Sequence, residues 1–181
     1  MYNGTNPTAL NSRQWLCDAL MTLMKKQTYG TITVLDICHA ADLSRQTFYN
    51  FFSSKEDILH FIIQTQVNKQ VDQLPDSIDM KDAVNAFASV LNDSRELFNL
   101  MIANHLDHII TEEIRNCISM FADHFSVQSK NATRPYGEAF LCGALSETML
   151  CWFKSDHPLS TSALCSLLTQ ILQGNYYQFN S

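Results

Sequence analysis

The stretch ITVLDICHAADLSRQTFYNFFSSKEDIL, residues 32–59, carries three hydroxyl residues placed to start helices, at Thr33, Ser44 and Ser54, each just before a set of apolar positions. Thr33 precedes Val34, Ile37, Cys38 and Ala41, which fall on one side of a short helix. Ser44 opens a second helix over 45–51, and Ser54 opens a third with Asp57 three residues on, an acidic variant of the capping box. The intervening turn is Asp42-Leu43. Two short helices joined this way have helix–turn–helix spacing. Leu43, Phe48 and Phe52 are placed to close the core of a domain of about 60 residues, which needs large side chains to bury enough area. The polar residues then share the opposite face: Arg45, Gln46, Thr47, Tyr49 and Asn50, with Ser44 at the helix start. The N-terminal part of such a helix meets base edges in the major groove. Arg pairs with guanine, Gln with adenine, and a Thr methyl touches thymine. Tyr49, Lys55 and the helix starts at Thr33 and Ser54 suit phosphate oxygens.

Outward from this stretch the apolar period is helical almost throughout. Leu16, Ala19, Leu20, Leu23 and Met24 predict a helix over 8–26, broken at Gly30. Ile58, Leu59, Ile62, Ile63, Val67, Val71 and Leu74 predict one long helix, 55–74, ended by Pro75. Further helices are expected over 80–91, 95–104, 106–125, 135–155 and 160–174, with a polar loop over 126–134 and Pro135 in the first turn of its helix. No useful strand pattern occurs, so the fold class is all-α.

The chain has 181 residues and 46% apolar composition, with 5 Gly and 4 Pro, enough to build a core with little loop. No apolar run is long enough for a membrane span, and the start, MYNGTNPTAL, lacks the pattern of a signal peptide. A cytoplasmic protein is expected. Its six cysteines, at 17, 38, 117, 142, 151 and 165, form no CxxC pair and read as small buried hydrophobes. Net charge is −6. Residues 1–74 carry six basic and six acidic groups, so all the excess negative charge lies in 75–181. That balance excludes a generally sticky nucleic-acid binder and leaves room for a few placed cations.

As a whole, residues 32–59 resemble the DNA-binding region of TetR-family repressors, whose pattern is T-x-x-x-I-A-x-x-A-G-V-S-x-x-x-x-Y-x-x-F-x-x-K-x-x-L. Thr33, Ile37, Ala41, Ser44, Tyr49, Phe52, Lys55 and Leu59 match it. With the preceding helix, the likeness covers about 50 of 181 residues. Two positions depart: Cys38 where Ala is usual, and Asp42 where Gly is usual. The second wants φ > 0, which Asp tolerates at modest cost. The resemblance implies an N-terminal helix–turn–helix domain (1–60, with 55–74 as connecting helix) and an effector-binding and dimerisation domain (75–181). It implies a repressor that binds operator DNA as a homodimer and is released by a small molecule. The end, GALSETMLCWFKSDHPLSTSALCSLLTQIL (143–172), looks like a branch common in Gram-positive bacteria.

In the second part, Phe98, Met101, Phe121, Phe125, Tyr136, Phe140 and Trp152 read on their own as core. The resemblance turns them, with His105, into candidates for lining an effector pocket. His105 and Tyr136 would supply its polar contacts, and the acidic balance favours neutral or cationic ligands. The helix at 135–155 is apolar on too many sides for a surface helix, so it and 160–174 are the expected dimer interface. His105 and His108 flank Asp107 without a third strong ligand, so no metal is expected. Cys38 and His39 point about 100° apart, which removes them as a nucleophile pair. No Gly-rich phosphate loop or nucleophile elbow occurs, so no enzyme and no cofactor is expected. Two other readings differ in what they require. Control by a protein partner needs a filled pocket and an apolar patch outside it. A small helical enzyme needs titratable groups in the pocket.

Overall fold

The first helix, α1 (Pro7–Met24), is followed by a 3₁₀ turn at Tyr29–Thr31 and then α2 (Val34–Ala40), α3 (Arg45–Phe51) and α4 (Lys55–Val71). After α4 come α5 (Met80–Asp93), α6 (Arg95–Ala103), α7 (Asp107–Phe121), α8 (Arg134–Lys154) and α9 (Thr161–Leu172). The computed structural model describes residues 7–75, 78–121, 133–156 and 158–176, and of these the side chains of 7–10, 120 and 121 are outside the description. Among the described residues there is no strand, and no helix is long and apolar enough to cross a membrane. Most of the expected 126–134 loop lies outside the described residues.

Local chemistry sets the boundaries of the first four helices. Thr33 and Ser54 each form a full capping box, with Asp36 and Asp57, and Ser44 accepts the N–H of Thr47. The end of α2 is a Schellman motif: Asp42 has φ 52, its N–H reaches His39 O, and Leu43 N–H reaches Cys38 O at 2.9 Å. The same motif ends α6 at His105 (φ 58), with Leu106 N–H on Met101 O, and ends α9 at Gly174. The break expected at Gly30 is the 3₁₀ turn, with Tyr29 buried.

The core of this N-terminal head is Leu16, Leu20, Ile37, Phe48, Phe52, Ile58 and Leu59, all nearly sealed from solvent. Phe48 stacks edge-on to Tyr49 at 5.2 Å and tilts against Phe52 at 6.0 Å, so the crowded aromatics are a core with one ring left outside. In the C-terminal body α7 runs along α8 and α5 along α9, while α4 packs on α5 and α7. One continuous hydrophobic cluster links head and body through α4. Cys17, Cys38 and Cys142 are buried as expected, and burial pushes the Cys17 thiol up to about 12. Cys151 departs from that reading, because it lies exposed on α8.

Candidate nucleic-acid interface

In α3 Phe48 and Phe51 point into the head, and the exposed face carries Arg45, Gln46, Tyr49 and Asn50. The Arg45 guanidinium lies 5.9 Å from the Tyr49 ring centre, a spacing that extends both side chains along one face. Thr47 is half-buried, and its hydroxyl shares a 2.9 Å hydrogen bond with Ser44 Oγ, so these two residues build the helix start. Their hydroxyls are committed to the cap.

Two residues expected at phosphate oxygens have partners within the chain. Thr33 N–H and Thr33 Oγ1 both donate to Asp36 Oδ2, at 2.8 and 2.7 Å, so both donors close the cap of α2. Lys55 Nζ donates to Tyr29 O at 2.7 Å and Ile32 O at 2.8 Å, and sits 4.1 Å from the Tyr29 ring centre. Tyr29 O also accepts the Ile32 N–H that closes the 3₁₀ turn, and a lysine at the start of α4 reaches both carbonyls. Desolvation lowers the Lys55 pKa, as expected for an ammonium held against a ring. Lys55 therefore staples the turn to α4. The start of α4 is closed in the same manner: Ser53 N–H, Ser54 N–H and Ser54 Oγ all donate to Asp57.

The head is tied to the body at two further points. Tyr29 N–H donates to Asn104 Oδ1 at 2.7 Å, and Asn104 is the C-cap of α6. Lys25, just past the end of α1, pairs with Glu96 on α6 at 2.7 Å, an exposed contact of little energetic weight.

The body holds a partly open cavity of about 810 Å³ between α4, α5, α7, α8 and α9, lined chiefly by aliphatic side chains such as Ile63, Val67, Val84, Leu141, Leu145 and Leu168. Of the eight residues expected to line an effector pocket, Phe98 lies in the wall of this cavity. Met101 is sealed in the core beside it. Trp152 is buried elsewhere, with its Nε1 donating to Leu159 O at 2.7 Å and Arg95 stacked on its ring at 4.4 Å, so it pins the turn from α8 to α9. His105 is exposed and serves as the left-handed residue that ends α6. Tyr136 and Phe140 are 79% and 72% exposed, on the outer side of α8. The Phe121 side chain and Phe125 lie outside the described residues. Among those residues no group of three His, Cys, Asp or Glu could hold a metal, the His105–His108 pair included.

With the capped tri-helical head in place, the comparison with known proteins is decisive. Residues 16–62 match the family of bacterial regulatory proteins, tetR family. The N-terminal part of the chain is thus similar to the bacterial regulatory proteins of the tetR family. It is 32% identical over 93 residues to the uncharacterized HTH-type transcriptional regulator YxbF of Bacillus subtilis, covering 49% of this chain and 24% of that protein. To DhaS of Lactococcus lactis, the HTH-type dhaKLM operon transcriptional activator, it is 27% identical over 123 residues, covering 64% of this chain and 55% of the other. These matches thus span about a quarter and about half of the relatives' own lengths. A solved structure, Lin0861 from Listeria innocua, superposes with a TM-score of 0.70 at 13% identity, covering 96% of each chain, which extends the likeness of fold to the body.

Against the TetR pattern, the position the family fills with Lys is the staple just described, and Asp42 holds the left-handed turn that Gly usually occupies. Sequence reasoning missed the true cavity wall. Its signal was present in α5, where Val84, Phe87 and Leu91 recur at helical spacing, and in Glu113, an acid set between Ile110 and Cys117 on the buried side of α7.

Proposed function

We propose that this chain is a sequence-specific transcriptional regulator that grips operator DNA through α3 and works in the cytoplasm. The observation that carries it is the face of Arg45, Gln46, Tyr49 and Asn50, exposed and polar on a helix whose other side is the sealed core at Phe48. Nothing structural requires that set to be hydrogen-bonding and outward, whereas base edges and phosphates do. The test is operator selection from random duplexes with the full chain, then anisotropy titrations. Arg45→Ala is expected to weaken binding by about 5- to 150-fold and relax one base position, the range for one bidentate contact. Unchanged affinity and preference would overturn the base-reading role.

The unit on DNA is a homodimer built on α8 and α9. Tyr136, Phe140, Gly143, Glu147 and Cys151 recur every three or four residues along the outer face of α8, and large apolar side chains there want a partner surface. A two-fold pair would set the recognition helices about 34–36 Å apart for successive major grooves. Leu168, on the other side, faces the cavity and is no probe of this interface.

Control comes from a small molecule in the cavity. The void between α4 and α7 favours this over the protein-partner reading, which needs a filled body. Ile63, Val67 and Val71 of the wall belong to α4, whose first residue staples the head, and Phe98 belongs to α6, whose cap Asn104 holds Tyr29. A ligand that prefers one placement of these helices shifts the spacing of the two heads. Repression relieved by the ligand is the family's usual mode. DhaS is named an activator, so a promoter fusion with and without the chain decides the direction.

A further inference from the structure

Among aliphatic neighbours, the cavity wall includes one nearly sealed carboxyl group. Glu113 of α7 is 2% exposed. An acid in such a place is costly unless its oxygens are satisfied. Its Oε1 is well supplied: His60 Nδ1 lies at 2.5 Å, Gln64 Nε2 at 3.3 Å and Asn116 Nδ2 at 3.4 Å. Its Oε2 is not. Among the described residues no donor reaches it, and it is not one of their sealed unpartnered atoms, which are Tyr29 OH, Ser94 Oγ and Asp107 Oδ1. The second oxygen therefore keeps a small opening, and the space beside Glu113 is the cavity. The other charged groups of the wall, Arg134 and Glu138, form their own ion pair, with Arg134 Nε donating to Glu138 Oε1 at 2.6 Å. One cation and two acids leave the lining with a formal excess of one negative charge, placed at Glu113 and balanced from outside the lining only when His60 is protonated.

We propose that the cavity takes an apolar amine whose ammonium donates to Glu113 Oε2 while its hydrocarbon lies against Val67, Phe87, Leu145 and Met149. This deepens the effector reading above and rests on it. The match is chemical: an ammonium supplies charge and N–H together, a charge-assisted hydrogen bond where a hydroxyl supplies a neutral one. The regulatory consequence follows from the first oxygen. His60 belongs to α4, so the carboxyl that receives the amine is the one that holds α7 to the connecting helix. Drawing Glu113 toward the ligand loosens that hold and moves α4 relative to the body.

The test uses dodecylamine, dodecanol and dodecanoate, each below its micelle concentration, titrated calorimetrically into the full chain. Dodecylamine is expected to bind at one site per chain, about tenfold tighter than dodecanol. Glu113→Gln should lose about that factor for the amine and leave dodecanol unchanged, and Leu145→Trp, which fills the void, should lose both. Equal binding of amine and alcohol by the parent chain overturns the proposal without any variant, so it stays testable if Glu113→Gln folds poorly. Tightest binding by dodecanoate also overturns it, and assigns the polar contact to Arg134. Amine binding that survives Leu145→Trp places the amine on surface acids and overturns it too. These three outcomes leave the effector reading standing when the alcohol or the acid still enters the cavity. Binding of none of the three probes by a chain that still grips DNA overturns the amine proposal and counts against the effector reading as well.

Discussion

In the head, polar groups close into short local circuits. Asp36 accepts from Thr33, Asp57 accepts from Ser53 and Ser54, and Lys55 donates to the carbonyls of Tyr29 and Ile32, while Phe48 is sealed in the core. In the body, α4, α5, α7, α8 and α9 surround a void of about 810 Å³, and the buried Glu113 of its wall has one oxygen supplied by His60. The two regions share one hydrophobic cluster and use it differently. A reading head must present four side chains in a fixed geometry, so each cap and staple removes a way to move. A body that senses a ligand, as proposed above, would have to gain more from that ligand than from its own collapse, and walls held apart fit that demand.

The largest expected difference between them is in the cost of shortening a wall. Phe48→Ala removes a ring packed on all sides and should cost about 3–5 kcal/mol, enough to unfold the head. Leu145→Ala removes a side chain that already borders empty space. Fewer contacts are lost, so its cost should fall below the roughly 2–5 kcal/mol usual for a buried leucine. Urea unfolding of both variants reads the contrast. Equal costs would mean that the body is packed as tightly as the head, and the cavity would then have no claim on a ligand.

That contrast also explains what could be read from the sequence. The head's geometry is set by contacts three to five residues apart: Thr33 with Asp36, Ser44 with Thr47, Ser54 with Asp57, Cys38 with Leu43. Such contacts leave marks in the order of residues, and the helix over 45–51 and its outward polar face are legible there. The intramolecular partners of Lys55 were not legible, because Tyr29 and Ile32 lie 26 and 23 residues away and offer backbone carbonyls, which no side-chain pattern announces. The helices of the body were legible for the same local reasons, but not which of their faces meet. Tyr136 and Phe140 are large and apolar, as a pocket residue would be, and only the rotation of α8 puts them outside. The cavity's wall is aliphatic, and aliphatic residues carry no mark that separates a wall from a core.

Next in size is the exchange between a staple and a reader. Lys55→Ala leaves two carbonyls and a ring face without their cation, and should destabilise the head by about 1–3 kcal/mol. Arg45→Ala should leave the melting temperature unchanged and act on DNA alone. A phosphate-binding Lys55 would instead reduce the salt slope of operator binding by about one unit with stability intact. Thermal melts and salt titrations of the two variants separate these outcomes.

Asn104→Ala tests the joint between the regions. It removes the acceptor of Tyr29 N–H, a net loss of about 1 kcal/mol, and should blunt the response of DNA binding to a ligand more than it weakens DNA binding itself. A full ligand response in that variant would leave α4 as the sole route. The caps also give the head a pH dependence. Hydrogen bonds from Thr33 hold Asp36 below the usual carboxylate range. At Asp57 burial works the other way, and the bonds from Ser53 and Ser54 outweigh it, again leaving the group depressed. A depressed carboxyl stabilises the fold above its unfolded pKa, near 4, and that contribution disappears as pH falls through the folded value. Asp57→Asn should therefore flatten the loss of head stability below about pH 4, which melts between pH 3 and 6 would show.

The smallest effect lies in the turn that departs from the family pattern. Asp42 holds φ 52, a conformation that costs most L residues about 1–2 kcal/mol and Asp less. Asp42→Gly removes that strain but returns conformational freedom to the unfolded chain, worth about 0.4–1 kcal/mol in the other direction. The two nearly cancel, so stability should rise by less than about 1 kcal/mol. His105→Gly at the end of α6 makes the same exchange at φ 58 in the body and should behave alike, since both sites are exposed Schellman turns. Only the head variant also changes charge beside the recognition helix. Asp42 is three residues from Arg45, within one Debye length at ordinary salt, about 8 Å, so removing its carboxylate should tighten operator binding a few-fold and lose that advantage at high salt. A tighter complex for Asp42→Gly at low salt, with no change for His105→Gly, would separate the electrostatic part of the turn from its backbone part. Identical shifts for both would assign the whole effect to the backbone and leave Asp42 electrostatically silent.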